Sequence, residues 1–278
     1  MAASKAFKQR WRSRRRDAMI SVHRGLWGPA PENSLAAISG AREYDIIEID
    51  TQIASDGVPV VIHDPDLMRT TGKFISPRDT GHGAIVSQRL LEASGGPGAA
   101  ITSERIPTLA DALSAAGPSA FFDIDVKFPD EIDAVAAMLA KSNLAHMGSL
   151  KIDTQTASDI ERLLLLQRRF GVMIMAKVVL PKAGLGHISE LVNAGVAAVE
   201  LWFDDLEQLG EACQIAGVDM AVSTYTLDPV HCCGLNDTLA LSNPDAVWGR
   251  LLNAGITVIM TDQPARLDAY MAARDKFS

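Results

Sequence analysis

Short apolar, β-branched runs alternate along this chain with longer stretches in which apolar residues recur every three or four positions. The runs predict strands near 19–24, 46–53, 58–63, 120–128, 149–153, 172–178, 196–203, 219–227 and 256–261. They carry apolar residues on both faces, as in a sheet covered on both sides. The longer period predicts helices near 33–44, 108–116, 130–142, 156–169, 187–194, 205–216 and 244–254, with Asn33, Thr108 and Thr156 as caps. Strands alternating with helices make βαβ units. Eight or nine strands over about 260 residues favour a TIM (β/α)8-type barrel over an open doubly wound sheet.

Two places break the alternation. Between 46–53 and 58–63 stands Ser55-Asp56-Gly57, too short for a crossover helix, so the two runs predict a β-hairpin near strands 2–3. With a turn centred on Asp56-Gly57, Asp50 is expected opposite His63. Residues 64–107 are rich in Gly, Pro, Ser and Thr and form a small inserted segment after the third strand, expected to cap the barrel mouth. The expected organisation is a basic extension over 1–18 and a single barrel domain over 19–278, the insertion at about 64–107 included.

Composition and charge narrow the partners. A chain with 47% hydrophobic and 22% charged residues has the balance of a globular protein. The net charge of −8 is unevenly placed: seven cations against Asp17 give residues 1–18 a charge of +6, leaving −14 on the remainder. An acidic body argues against nucleic-acid binding, and an anionic small-molecule substrate would need a local positive site. Arg14-Arg15-Arg16 resembles a twin-arginine signal, but no apolar stretch follows it. No run reaches the ~18 apolar residues of a membrane span, so no stable membrane insertion is expected. Three cysteines, Cys213, Cys232 and Cys233, form no disulfide framework and suggest a reducing, cytoplasmic setting. A frayed or loosely docked tail is the expectation for 1–18, with a membrane-surface or partner contact as the sharper alternative. A homo-oligomer is left open.

Three clusters carry chemistry. Glu48 and Asp50 lie two apart on one strand face, and the hairpin brings His63 toward them. Two inward carboxylates repel unless a cation separates them, and an all-oxygen pair suits a hard ion, Mg²⁺ or Ca²⁺. Asp123, Asp125 and Lys127 alternate through an apolar strand, so all three share one face. Asp125 could complete the metal shell and Lys127 could meet an anion, or the two could form a structural ion pair. His23-Arg24-Gly25 ends the first strand, where barrel enzymes keep catalytic groups, and guanidinium suits phosphate oxygens.

The ordered set HRG, PENSLAAI, EID, SDGVPVVIHDPDLMRTTG, IPTLADAL, D-x-K and TDQP strongly resembles the glycerophosphodiester phosphodiesterase family, from His23 to Pro264. The resemblance implies a TIM barrel with an inserted segment. It implies metal-dependent hydrolysis of glycerophosphodiesters to sn-glycerol 3-phosphate and an alcohol, the substrate's own hydroxyl attacking first and water opening a cyclic phosphate. Its catalytic histidines fall on His23 and His63, its metal carboxylates on Glu48, Asp50 and Asp125, and its phosphate-contacting cations on Arg24 and Lys127. The alternatives are hydrolysis of another phosphodiester, such as a sugar phosphodiester, a silent barrel that binds a phosphorylated ligand, and a lyase that stops at the cyclic phosphate.

The chain departs from the family at the third metal position, where Asp125-Val126-Lys127 replaces the usual E-x-K, and after the strand at 219–227, where STYTLD replaces a tryptophan-rich strand ending in Asn. Weaker signals remain. Glu32 could orient Arg24 or favour a helix start, and Arg69-Thr70-Thr71 could touch substrate but reads rather as an anchor of the insertion. The loop at 227–243 holds His231-Cys232-Cys233 without further ligands at zinc spacing and is expected to shape the pocket. Trp202 and Tyr225 are either an aromatic wall or packing, and His82 and His187 have no assigned role.

Overall fold

The computed structural model describes residues 2–14 and 16–275. Its strands are β1 (Met19–Val22), β2 (Ile46–Ile53), β3 (Pro59–Val61), β4 (Arg89–Leu91), β5 (Ile101–Arg105), β6 (Phe122–Val126), β7 (Gly148–Asp153), β8 (Met173–Val179), β9 (Ala198–Trp202), β10 (Ala221–Tyr225) and β11 (Val258–Thr261). The main sheet runs β1-β11-β10-β9-β8-β7-β6-β2-β3, and β1 also pairs with β2. That second pairing closes eight parallel strands into a TIM-type ring, with β3 as an extra strand outside it. The chain divides into two units, residues 22–148 and residues 1–21 with 149–278.

Within residues 22–148, β2 is buried on both faces. Ile47 and Ile49 alternate with Glu48, Asp50 and Gln52, all of them nearly inaccessible. β6 runs parallel to β2 and sets Asp123 beside Glu48 and Asp125 beside Asp50. β3 runs antiparallel to β2, with Gln52 opposite Val60 and Thr51 opposite Val61. The expected Asp50–His63 opposition is off by one residue. The loop holds three residues, not two: Ala54 N donates to Val58 O at 2.9 Å, and Gly57 takes the left-handed φ of +84° that closes such a loop. Asp50 therefore stands opposite Ile62, whose N–H it accepts at 3.1 Å.

The insertion contains structure that periodicity does not announce: helices Met68–Thr71 and His82–Val86, a tight turn at Pro77–Asp79, and the antiparallel β4–β5 pair. The helices are shorter than two turns and the strands hold three and five residues, so pattern alone carries little signal. Leu67, Ile85, Leu90 and Ile106 of the segment close over Ala54, Val60 and Ile62 of the hairpin in one apolar cluster. Polar ties fasten its edge. His82 donates its backbone N–H to Asp56 and shares a 2.7 Å Nδ1–Oδ2 bond with it, which holds the Asp56 carboxyl below its usual range. Arg78 pairs with Asp130 and Glu131 and lies 4.5 Å over the Phe128 ring. The cap of the first barrel helix, Leu35–Gly40, is Ser34, whose hydroxyl accepts from Ala37 N at 3.1 Å; Asn33, the expected cap, is used elsewhere.

In the other unit, β7 to β11 keep parallel registers and alternate in the chain with helices that include Ala157–Phe170, Leu185–Asn193 and Leu206–Ala216, and Pro264–Arg274 follows β11. Thr156 and Asp159 form a reciprocal capping box at the first of these. Pro264–Arg274, absent from the sequence reading, starts with proline at its first turn. Residues Ala2–Arg12 are helical, with Phe7 and Trp11 each 3% exposed. Ser4 Oγ bonds Gln167 at 3.4 Å, and Arg12 donates to Val218 O at 3.2 Å. Among the described residues no helix is long and apolar enough to cross a membrane.

Candidate active site

The HRG turn is shaped by its backbone. β1 ends at Val22, which leaves the buried His23 at the strand end. Arg24 adopts φ +55°, uncommon for a side-chain-bearing residue, and bonds on both sides hold it there. Its N–H donates to Glu48 Oε2 at 2.9 Å, and its carbonyl accepts from Asn33 N at 2.9 Å. Gly25 follows at φ +75°, where a Cβ would stand 2.7 Å from the Ala37 carbonyl carbon, so only glycine fits.

Asn33 connects this turn to β2. Its Nδ2 donates to Asp50 Oδ2 at 2.9 Å, and its Oδ1 accepts from Asp50 N at 3.2 Å. Asp50 is thereby fixed in backbone and side chain at once. Arg24 Nη1 bonds both oxygens of the buried Glu32 at 3.1 Å. Its Nε lies 3.1 Å from Asp50 Oδ2, an ion pair whose angle falls short of a hydrogen bond. Burial pulls the guanidinium pKa down, but Asp50, Glu32 and Glu48 outweigh it and the net shift is upward.

His63 arrives by a different device. After β3 the chain turns, and Gln52 Nε2 reaches the carbonyls of Ile62, His63 and Asp64 at 3.2, 3.2 and 2.6 Å. His63 Nδ1 lies 2.7 Å from Asp64 Oδ1. A carboxylate can only accept there, so Nδ1 carries the proton and Nε2 is left for chemistry. Arg69 grips Asp64 with Nε at 2.7 Å and Nη2 at 2.9 Å, and Glu32 with Nη1 at 2.9 Å and Nη2 at 2.8 Å. The His63 bond, opposed by partial burial and helped by Arg69, holds the Asp64 carboxyl well below its usual range. One ladder, His63–Asp64–Arg69–Glu32–Arg24, thus joins the insertion to the strand-end turn.

The carboxylates meet across β2 and β6. Oxygens of Glu48, Asp50 and Asp125 all lie within 4.8 Å of one another, the one such group of candidate metal ligands among the described residues. Donors around a hard ion at roughly 2.0–2.6 Å are separated by no more than about 5 Å, so the spacing fits. Lys127 Nζ bonds Asp50 Oδ1 at 2.9 Å and Asp125 Oδ2 at 3.0 Å. Burial opposes charge on both Asp50 and Lys127. Lys127, Arg24, His63 and His23 nevertheless hold Asp50 below its normal range, and Asp50 and Asp125 hold Lys127 above its own. Glu32, Glu48, Asp50, Asp64, Asp123 and Asp125 outnumber Arg24, Arg69 and Lys127, an excess of negative charge that a divalent cation would offset.

Residues 23–266, spanning every group just described, match the glycerophosphoryl diester phosphodiesterase family. This chain belongs to that family. A glycerophosphodiester phosphodiesterase of Bacillus subtilis is 25% identical over 268 residues, covering 89% of this chain and 85% of its own. One from Caldanaerobacter subterraneus is 35% identical over 112 residues, 39% of this chain and 45% of that protein. Two further bacterial relatives are matched over 37% and 39% of their length, so the chain spans less than half of these three. A phosphodiesterase from Oleispira antarctica, solved with its product sn-glycerol 3-phosphate, superposes with a TM-score of 0.66 at 20% identity, over 91% of this chain and 96% of that one.

Against this family background, residues 22–148 bring together all seven side chains singled out in the sequence: His23, Arg24, Glu48, Asp50, His63, Asp125 and Lys127. Sequence reasoning missed Asn33, Gln52 and Asp64. The position of Asp64 beside His63 was the available signal for one of them, whereas nothing local marks Asn33 as the partner of a residue 17 positions away. Arg69 is an anchor, as expected, and its grip on Glu32 and Asp64 gives both carboxylates a place. In the other unit, Cys232 is buried and its thiol is pushed up to about 11, mainly by burial, and Cys233 is also shifted upward. Asp228 accepts from Thr238 N and Oγ1 at 2.8 and 2.9 Å, organising the loop at 227–243. His187 Nε2 bonds Thr154 O at 3.1 Å, an internal tie.

Proposed function

We propose that the protein hydrolyses glycerophosphodiesters to sn-glycerol 3-phosphate and an alcohol. The observation that carries this reading is the convergence of two histidines, two cations and three carboxylates on neighbouring strands in a chain of this family. Arg24 and Lys127 hold the non-bridging phosphate oxygens, where their fixed charges oppose the charge that grows in the transition state. His23 and His63 exchange protons with the attacking and leaving oxygens. Asp64 keeps the His63 ring in one tautomer and supports it when it is protonated. Glu48, Asp50 and Asp125 would hold one divalent cation, Mg²⁺ or Ca²⁺. Such an ion supplies neutralisation of phosphate charge and a lowered pKa for a coordinated hydroxyl. Asn33 and Glu32 act behind these groups by fixing Asp50 and Arg24.

A panel of phosphodiesters assayed with Mg²⁺, with Ca²⁺ and with chelator tests the proposal. The expected result is release of sn-glycerol 3-phosphate that chelator abolishes. Turnover indifferent to chelator would remove the metal. Turnover confined to sugar phosphodiesters would move the substrate class. Binding of phosphorylated ligands with no turnover under any condition would leave a silent barrel.

A further inference from the structure

The basic N-terminal segment plays no part in the proposed chemistry, and its helix shows how its charge is deployed. On Ala2–Arg12, Phe7 and Trp11 are four residues apart and share one stripe, which is buried against the protein. Lys5, Lys8 and Arg12 follow the i, i+3, i+7 spacing and share another. Together with Ser4, Gln9, Ser13 and Gly195 they line an open cavity of about 640 Å³. Arg12 has an acidic neighbour, Asp219 at 3.9 Å, and among the described residues no ion pair involves Lys5 or Lys8; both partners of the Arg12 pair are more than half exposed. Such a pair is worth little and leaves the charge available. The helix holds no carboxylate, while the rest of the chain beyond residue 18 carries −14. On an acidic molecule this face is therefore a localised cationic footing.

We propose that the face carrying Lys5, Lys8 and Arg12 docks this protein on an anionic lipid surface. The mode follows from which stripe is spoken for. An inserting amphipathic helix needs its apolar side free to enter the bilayer. Here that side is committed to the protein interior, so contact is peripheral and electrostatic. It is strong at low ionic strength and screened as the Debye length shrinks. The acidic remainder is repelled by the same surface, which orients the molecule with the helix toward the membrane.

Sedimentation of the full chain with vesicles tests this. Binding is expected to vesicles of phosphatidylcholine mixed with phosphatidylglycerol, not to phosphatidylcholine alone, and to be released by salt. At roughly fivefold per cation, Lys5→Gln with Lys8→Gln weakens binding by about 25-fold. Thermal melting of that variant stays at the wild-type value, since neither side chain is buried. Equal binding to both vesicle types, or undiminished binding by the double variant, overturns the proposal. So does displacement by inorganic phosphate at constant ionic strength, which would mark a discrete anion pocket. None of these outcomes depends on phosphodiester turnover.

Discussion

Asp125 stands beside Asp50 across β2 and β6 and accepts from Lys127 at 3.0 Å. Both of its candidate roles, metal ligand and partner of Lys127, are compatible with that position, and charge separates them. Asp125→Asn keeps the shape and removes one of three negative charges from the cluster. Loss of that attraction in a weakly polar interior is expected to lower Mg²⁺ or Ca²⁺ affinity by at least about tenfold, or about 1.4 kcal/mol. Asp125→Glu, which restores the family's usual side chain, should retain most of the affinity. Calorimetric titration reads both variants, and an unchanged affinity for Asp125→Asn would take Asp125 out of the metal shell. His23→Ala and His63→Ala are each expected to cut kcat by about 10²-fold or more in folded protein. Near-normal turnover in either variant removes that histidine from the acid–base pair.

At the scale of elements, the insertion is tied to the strand ends chiefly through Arg69, which also donates to Ser94 O at 2.5 Å. Its planar fork serves two carboxylates at once, which a lysine cannot reproduce. Arg69→Ala leaves Asp64 and the buried Glu32 without this partner. Removing one member of a fully buried ion pair costs about 3–5 kcal/mol. With the Arg69 side chain 30% exposed, about 2–3 kcal/mol is expected here. Because Asp64 orients His63, turnover should fall as well, with Arg69→Lys intermediate. Amide hydrogen exchange across 64–107 reports the loosening directly. Unchanged exchange and turnover in Arg69→Ala would show that the ladder does not couple the two elements.

For the molecule as a whole, one buried carboxylate sets a stability trend opposite to that of Asp64. Asp237 accepts from the hydroxyls of Thr226 at 2.6 Å and Thr261 at 2.7 Å and from Asp262 N at 2.8 Å, joining the 227–243 loop to the end of β11. Burial outweighs these bonds and pushes its carboxyl up to about 6. The folded state therefore holds this proton more tightly than the unfolded chain, whose Asp titrates near ~3.9. The associated stability is present below about pH 4 and is lost as pH rises to about 6, on the order of 3 kcal/mol in all. Asp64, shifted downward, loses its contribution as pH falls. Asp237→Asn can turn its oxygen to Asp262 N and donate to both threonine hydroxyls. Its melting temperature should gain on the wild type as pH rises from about 4 to 7. A constant difference across that range would mean that Asp237 does not titrate there.

Periodicity is a local property, and it was enough to specify the strand–helix alternation, the barrel, the hairpin and the place of the insertion. The same holds for Glu48, Asp50, Asp125 and Lys127: a polar residue repeated at two-residue spacing inside an apolar strand has few structural uses, and EID and D-x-K stand out for that reason, whereas HRG is marked by its place at a strand end and His63 by the hairpin. What passes between distant segments was not legible. The hairpin register turned on whether its loop held two residues or three. Asn33 looked like a helix cap because its neighbours form a helix start, yet Ser34 caps the helix and Asn33 spends its amide on Asp50. Arg69 finds Glu32 across 37 positions, and Asp50 meets Asp125 across 75. The burial of Phe7 and Trp11, which leaves the basic stripe of the first helix facing outward, likewise depends on surfaces far along the chain. Hydrogen bonds and charges act over a few ångströms in space, whatever the separation in sequence, so only the folded chain decides which of them meet.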